Sequence, residues 1–72
     1  MENRKLRSLR ALYKINQIDL AKLLGVTTNT YSSKERGNTA FTQSEMIKIV
    51  EFFKTFDNQV TMDDIFFIHS VT

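Results

Sequence analysis

The stretch Gln17-Ile-Asp-Leu-Ala-Lys-Leu-Leu-Gly-Val-Thr-Thr-Asn-Thr-Tyr-Ser-Ser-Lys-Glu-Arg-Gly37 decides the fold of this 72-residue chain. Asn16 precedes it as an N-cap, and Asp19 stands at N3, where its carboxylate suits a capping box. Gly25 follows the last apolar residue of this first helix, which is where a left-handed residue commonly ends a helix. Thr27 is then placed to cap a second helix. The pattern predicts two short helices, Gln17–Leu24 and 28–35, joined by a tight turn.

Apolar spacing and capping residues predict three further helices around this pair. One extends from about Asn3 to Tyr13. Another opens at the capping box Thr42-Gln-Ser-Glu45 and runs to about Thr55, and Thr61 caps a last segment that ends near Phe67. We therefore predict one all-α domain of five helices over residues 1–72, with a short tail at 68–72. The side chains expected to be largely buried are Leu9, Leu20, Ala21, Leu24, Val26, Tyr31, Ile47, Val50, Phe53 and Ile65.

The second helix of the central pair has an unusual composition. Thr28–Glu35 consists mostly of hydroxyl and amide side chains, which are only moderate helix formers, so the segment also fits a loop. We expect a helix because Val26 and Tyr31 can dock on neighbouring helices. A helix held in this way presents short polar side chains outward, where they are free to form hydrogen bonds.

Composition and sequence patterns exclude several classes of protein. The chain has no Cys and one His, which excludes disulfides and thiolate metal sites. It has no Gly-rich phosphate loop, and Ser32 and Ser33 have no neighbouring His as a base. We therefore expect neither an enzyme nor a site for a metal, cofactor or small-molecule substrate. No apolar run approaches the roughly 20 residues of a membrane span, and no signal-like segment opens the chain, so we expect a cytoplasmic domain.

Charge is distributed unevenly along the chain. Residues 1–36 contain eight basic and three acidic side chains, whereas residues 37–72 contain two basic and five acidic ones. A basic half joined to an acidic half indicates a surface for a polyanion such as nucleic acid. Solvation of helix surfaces explains the same charges equally well, so charge alone leaves both interpretations open.

A helix, a short turn containing Gly and a second helix form the helix-turn-helix arrangement. The stretch closely resembles the helix-turn-helix of lambda-type phage repressors and Cro proteins, the Xre-like regulators. Leu6–Arg10 and Ile47–Phe66 also resemble the first and last helices of that family. The resemblance implies a lambda-repressor-like fold and a DNA-binding regulator, with its helix-turn-helix at residues 17–36. The matching positions are Gln17, Leu20, Ala21, Leu24, Gly25, Val26, Thr27, Tyr31, Ser32, Glu35, Arg36 and Gly37.

The resemblance also implies which side chains meet DNA. In such domains the second helix lies in the major groove with its first residues at the base edges. Carried over by position, the base contacts are Thr28, Asn29 and Ser33, of which Asn29 can bond adenine through two hydrogen bonds. The expected backbone contacts are Gln17, Thr27, Ser32, Arg36, Asn38, Thr39, Arg10 and Lys34.

Two of these positions carry additional expectations. Arg10 and Glu35 stand where the family has an ion pair between its first helix and the end of its recognition helix. Lys34 departs from the family, which usually has an apolar or aromatic residue there. We expect its aliphatic stem to cover that site with its ammonium group in water, either against a phosphate or solvated.

The C-terminal segment is rich in apolar side chains. A helix of six residues buries only one side, so Phe66, Phe67 and Ile68 exceed what the core accepts. We expect them to form a protein interface; the alternative is that the tail folds back and covers them.

The preferred function is a Cro-like repressor of a phage or mobile element. It would act at the nucleoid of a bacterial host on a palindromic operator, as a homodimer or with a partner repressor. The alternative is an antirepressor or modulator of the same fold that binds a partner phage repressor. A toxin–antitoxin antidote is a third option, although no long toxin-wrapping segment is evident.

Overall fold

The computed structural model describes residues 2–66, which contain five helices and no strand. The helices are α1 (Arg4–Tyr13), α2 (Gln17–Leu24), α3 (Thr28–Glu35), α4 (Gln43–Lys54) and α5 (Met62–Phe66). The predicted all-α architecture is confirmed, and every predicted boundary within these residues lies within one residue of the observed one.

Local capping sets where the helices begin. The side chains of Asn3, Asn16, Thr27 and Thr42 each accept a hydrogen bond from the backbone N–H three residues later. In α2 and α4 the acidic residue at N3 completes a capping box by accepting from the N-cap backbone N–H. Because each cap satisfies helix N–H groups that otherwise lack a partner, the short helices have defined starts.

Left-handed residues end two of the helices. Gly25 follows α2 with φ of 73°, and a Cβ at this position would meet no atom within 4 Å outside the adjoining backbone. Position 25 therefore favours glycine because of its backbone conformation and not because of close packing. Lys14 caps α1 with φ of 58° and is the only non-glycine residue among residues 2–66 with a positive φ.

The core forms where all five helices meet. Its largest fully buried side chains include Tyr31 and Phe53, which come from α3 and α4. Tyr31 packs against Phe41, and Phe41 packs edge-on against Phe66 of α5 with ring centroids 5.3 Å apart. The buried apolar residues are Leu6, Leu9, Leu20, Ala21, Leu24, Tyr31, Ile49, Val50, Phe53, Val60 and Ile65.

Two predicted core positions differ in the structure. Ile47 is 41% exposed, so its predicted burial was wrong. The buried stripe of α4 runs through Ile49, Val50 and Phe53, and Ile47 lies two residues before it, which places it about 200° around the helix from Ile49. Val26 is half-buried and packs against the edge of the core rather than within it.

The C-terminal prediction falls partly outside the described residues. Phe66 is half-buried against Phe41, while Phe67, Ile68 and the tail at 68–72 lie beyond the residues that the structure describes. The expected interface at Phe66, Phe67 and Ile68 therefore stays a prediction.

Candidate nucleic-acid interface

The first turn of α3 presents short polar side chains to solvent. Thr28, Asn29 and Thr30 are all exposed, and none of them is needed to fill the core. Thr27 Oγ1 accepts the N–H of Thr30 at 3.1 Å, which fixes the start of the helix directly beside these side chains. The result is an open, uncharged surface that offers amide and hydroxyl groups in a rigid frame.

Tyr31 and Glu35 anchor α3 to the rest of the domain. Neither has a relative exposure above 1%, and the Tyr31 hydroxyl donates a 2.8 Å hydrogen bond to Glu35 Oε2. The two residues are four apart, so they share one face of the helix. This face points inward and leaves the opposite, polar face of α3 free.

A buried ion pair joins Glu35 to α1. Arg10 donates from Nε to Oε2 at 2.8 Å and from Nη2 to Oε1 at 2.9 Å, a bidentate arrangement. Gln17 Nε2 at the start of α2 donates a further hydrogen bond to Oε1 at 3.1 Å. The expected pairing of Arg10 with Glu35 is confirmed, and the cluster of Arg10, Gln17, Tyr31 and Glu35 ties three helices together at one point.

Electrostatics within this polar cluster favour an ionised Glu35. Burial by itself raises the pKa of the carboxyl group, but hydrogen bonds from Arg10, Tyr31 and Gln17 outweigh burial and hold the pKa below its usual value. Burial and the bond to Glu35 together raise the pKa of Tyr31, so its hydroxyl stays a donor. The orientation of α3 therefore rests on a charged pair that is fully satisfied.

Three members of this cluster, Arg10, Gln17 and Glu35, line a groove of about 230 Å³. Four of the expected backbone contacts, Arg10, Gln17, Ser32 and Arg36, line this groove together. Arg36 is exposed, whereas the Arg10 and Gln17 side chains already bond Glu35. The structure thus brings these residues together but gives Arg10 and Gln17 a role in fixing the helices.

The remaining expected contacts lie at the C-terminal end of α3 and in the turn that follows it. Asn38 and Thr39 are exposed in the turn after Gly37, and the Asn38 N–H bonds the carbonyl oxygen of Ser33 at 2.9 Å. Ser33 Oγ lies 3.4 Å from Thr39 Oγ1 and is half-buried. Ser33 is therefore less accessible than Thr28 and Asn29, although it adjoins the same face.

The expected position of the Lys34 ammonium group was wrong. Its Nζ lies 3.0 Å from Glu45 Oε1 and donates to the carbonyl oxygen of Ala40 at 3.0 Å, and the side chain is only 9% exposed. The chain after Gly37 turns back and brings α4 against Lys34, which supplies a carboxylate that the local sequence does not reveal. The stem covers the site as expected, but the charge is paired inside the protein.

Sequence reasoning missed two features of this surface. One is the participation of Gln17 in the polar cluster. The other is the groove along α1, where Arg4, Arg7 and Lys14 lie beside Asn16 at the start of α2. Their spacing of three and seven residues places them on one helix face and was available from the sequence.

Residues 2–66 contain no metal-ligand cluster and no membrane-spanning helix. No group of three or more acidic or His side chains is arranged to hold a metal ion. In the same part of the chain, no helix combines the length and hydropathy needed to cross a membrane.

Comparison with known proteins places the chain in a family. No curated protein and no solved structure is significantly similar to it. A family model described as helix-turn-helix, of the Xre and lambda-repressor-like type, matches residues 6–55, which includes α2, α3 and the turn between them. That family is a DNA-binding regulatory family rather than an enzymatic one. The chain therefore belongs to the Xre and lambda-repressor-like helix-turn-helix family of DNA-binding regulators.

Proposed function

We propose that the protein is a Cro-like repressor of a phage or mobile element that reads an operator with the N-terminal turn of α3. The observation that carries the proposal is the exposed polar turn at Thr28–Thr30, held rigidly by the buried Tyr31 and Glu35. Side chains held on a rigid helix lose less conformational freedom on binding than mobile ones do, so more of their interaction energy contributes to affinity. Such a helix fits the major groove of B-DNA.

The proposed base contacts are Thr28, Asn29 and Ser33. Asn29 is exposed and can both donate to and accept from one adenine, which distinguishes A·T from the other base pairs. Thr28 offers a hydroxyl and a methyl group, the latter suited to a thymine methyl. Ser33, four residues after Asn29, completes the set. Its hydroxyl group lies within hydrogen-bond distance of Thr39 Oγ1.

The proposed backbone contacts flank these residues on both sides. Arg36 supplies the exposed charge. Neutral hydrogen-bond donors come from the exposed residues Thr27, Asn38 and Thr39 and from half-buried Ser32. Arg10 and Gln17 line the groove beside Arg36, where the N-terminus of α2 adds favourable N–H groups for a phosphate. We leave Lys34 out of this set because its ammonium group is bound to Glu45.

We further propose that two copies bind a two-fold operator. Half-sites one turn apart require recognition helices separated by about 34 Å. The predicted interface at Phe66, Phe67 and Ile68 would supply the contact, either between two copies or with a partner repressor.

One observation favours the second candidate function, an antirepressor that binds a partner phage repressor. Leu12 is 66% exposed and Phe56 is 47% exposed. Phe56 stacks on Tyr13 of α1 with ring centroids 4.7 Å apart, so two aromatic side chains adjoin at the surface. A surface of this kind can bind another protein without any DNA contact.

Selection of duplexes from a random pool by the purified protein, at a fixed salt concentration, tests the proposed function. We expect enrichment of a site with two related half-sites, and a gel shift with DNA that flanks the protein's own gene. Binding to a neighbouring repressor together with no enrichment of any DNA sequence would instead support the antirepressor.

A further inference from the structure

An open groove of about 800 Å³ runs along α1 and takes no part in the contacts proposed so far, apart from Arg10 at its edge. Its basic side chains are Arg4, Arg7, Arg10 and Lys14, and it ends at Asn16, where α2 begins. Among residues 2–66, the only acidic residue that lines it is Glu2. Groups of this charge and spacing bind anions rather than apolar ligands.

Of the four basic side chains in the groove, two are paired with acidic residues and two are not. Within residues 2–66, Arg7 forms an exposed salt bridge with Glu2, and Arg10 forms the buried one with Glu35. Arg4 and Lys14 are exposed and have no acidic partner in this part of the chain. The groove therefore carries two uncompensated positive charges, at opposite ends of α1.

The backbone positions of these two residues are far enough apart to span several phosphates of one DNA strand. Ten residues of α-helix separate Arg4 from Lys14, which is about 15 Å along the axis. Each base pair of B-DNA rises about 3.4 Å along the helix axis, so this length corresponds to about four nucleotides of one strand.

The left-handed backbone conformation of Lys14 indicates that its charged side chain has a function. A residue with φ of 58° at a helix C-terminus is most often Gly, because a Cβ is unfavourable there. The chain has Lys instead, which adds a charge at the cost of backbone strain. The helix dipole favours a cation at this position as well, so the experiment must separate stability from DNA binding.

The groove along α1 continues into the smaller groove beside α3. Both are lined by Arg7 and Arg10, and the smaller one extends to Ser32 and Arg36, which we propose as backbone contacts. We infer that the α1 groove is a second phosphate-binding surface, which holds the backbone of the duplex outside the segment read by α3. The inference rests on the proposed DNA binding and extends it to the DNA that flanks the operator.

Salt dependence of binding tests this inference. The test variant is Arg4→Gln/Lys14→Gln, and the matched control is Lys48→Gln/Lys54→Gln, which removes the same charge from exposed positions of α4. Each protein is titrated with the selected site in two duplexes, one with about ten extra base pairs on each side and one without them. Thermal melting followed by circular dichroism checks that all variants fold.

On the long duplex we expect the slope of log affinity against log salt concentration to fall by about two units per protomer in the test variant, since each lost phosphate contact accounts for about 0.9. The control should keep the wild-type slope on the long duplex. The wild type should show a lower slope on the short duplex than on the long one. Equal slopes for wild type, test and control on the long duplex would overturn the inference while leaving the proposed function intact. Failure of the wild type to bind any duplex would overturn both.

Discussion

Replacement of Arg10 by Met probes the buried ion pair that holds the recognition helix. Met keeps the unbranched stem of Arg and removes the guanidinium group. Glu35 accepts four hydrogen bonds, two of which come from Arg10, and its side chain is only 2% exposed. In Arg10→Met the carboxylate keeps two neutral donors, Tyr31 and Gln17, but loses the only positive charge that it contacts among the described residues.

The size of the expected loss in stability follows from the burial of Glu35. Removal of one partner from a buried ion pair costs about 3–5 kcal/mol because the other charge is left uncompensated. A domain of this length has a total free energy of unfolding of about 4–11 kcal/mol, at roughly 0.05–0.15 kcal/mol per residue. Arg10→Met should therefore remove about half of the stability, which urea unfolding measures directly.

Two controls accompany this measurement. Arg10→Met/Glu35→Gln removes both charges and keeps an oxygen that can accept from Tyr31, so it should recover most of the loss. In Arg10→Met alone, burial should raise the pKa of Glu35, and the deficit relative to wild type should shrink as the pH falls. A loss below about 1 kcal/mol at neutral pH, the range of an exposed salt bridge, would refute the reasoning.

The remaining predictions concern backbone conformation and acid stability. Gly25→Ala should cost about 1–2 kcal/mol of unfolding free energy in urea titrations, because φ there is 73° although the Cβ meets no neighbour. Lys14→Gly should raise the melting temperature because it removes a non-glycine residue from positive φ, while it weakens DNA binding. In wild type, hydrogen bonds to Glu35 and Glu45 outweigh burial and hold both pKa values low, so their contribution to stability is present above the pKa of the unfolded carboxyl groups. Unfolding free energy measured against pH should therefore fall as the pH drops below about 4.3.

Much of the fold is predictable from the sequence because local chemistry determines it. Asn16, Thr27 and Thr42 are capping residues whose partners lie three residues away, so the starts of α2, α3 and α4 follow from short-range pattern. The Arg10–Glu35 pair spans 25 residues and was expected only through the resemblance to a family.

Three of the features that sequence reasoning missed depend on how distant segments meet. Lys34 is paired because the turn after Gly37 brings Glu45 to it, and nothing within a few residues of Lys34 indicates that partner. Ile47 is exposed because tertiary packing selects which side of α4 faces the core; its spacing of three residues from buried Val50 is also the spacing expected of a core residue. Gln17 bonds Glu35 because tertiary packing brings the start of α2 to the end of α3, which helical periodicity does not specify.

The central claim is that the exposed N-terminal turn of α3 reads bases, and Asn29→Ala tests it most directly. The measurement is fluorescence anisotropy of labelled duplexes, one with the selected site and one of random sequence, at the same salt concentration. Asn58→Ala serves as the control, since it is the same substitution at an exposed position between α4 and α5. The account predicts that Asn29→Ala loses about 1–3 kcal/mol of binding free energy at the selected site, with little change on random DNA and no effect of Asn58→Ala. Equal losses on both duplexes, or no loss at the selected site, would contradict it.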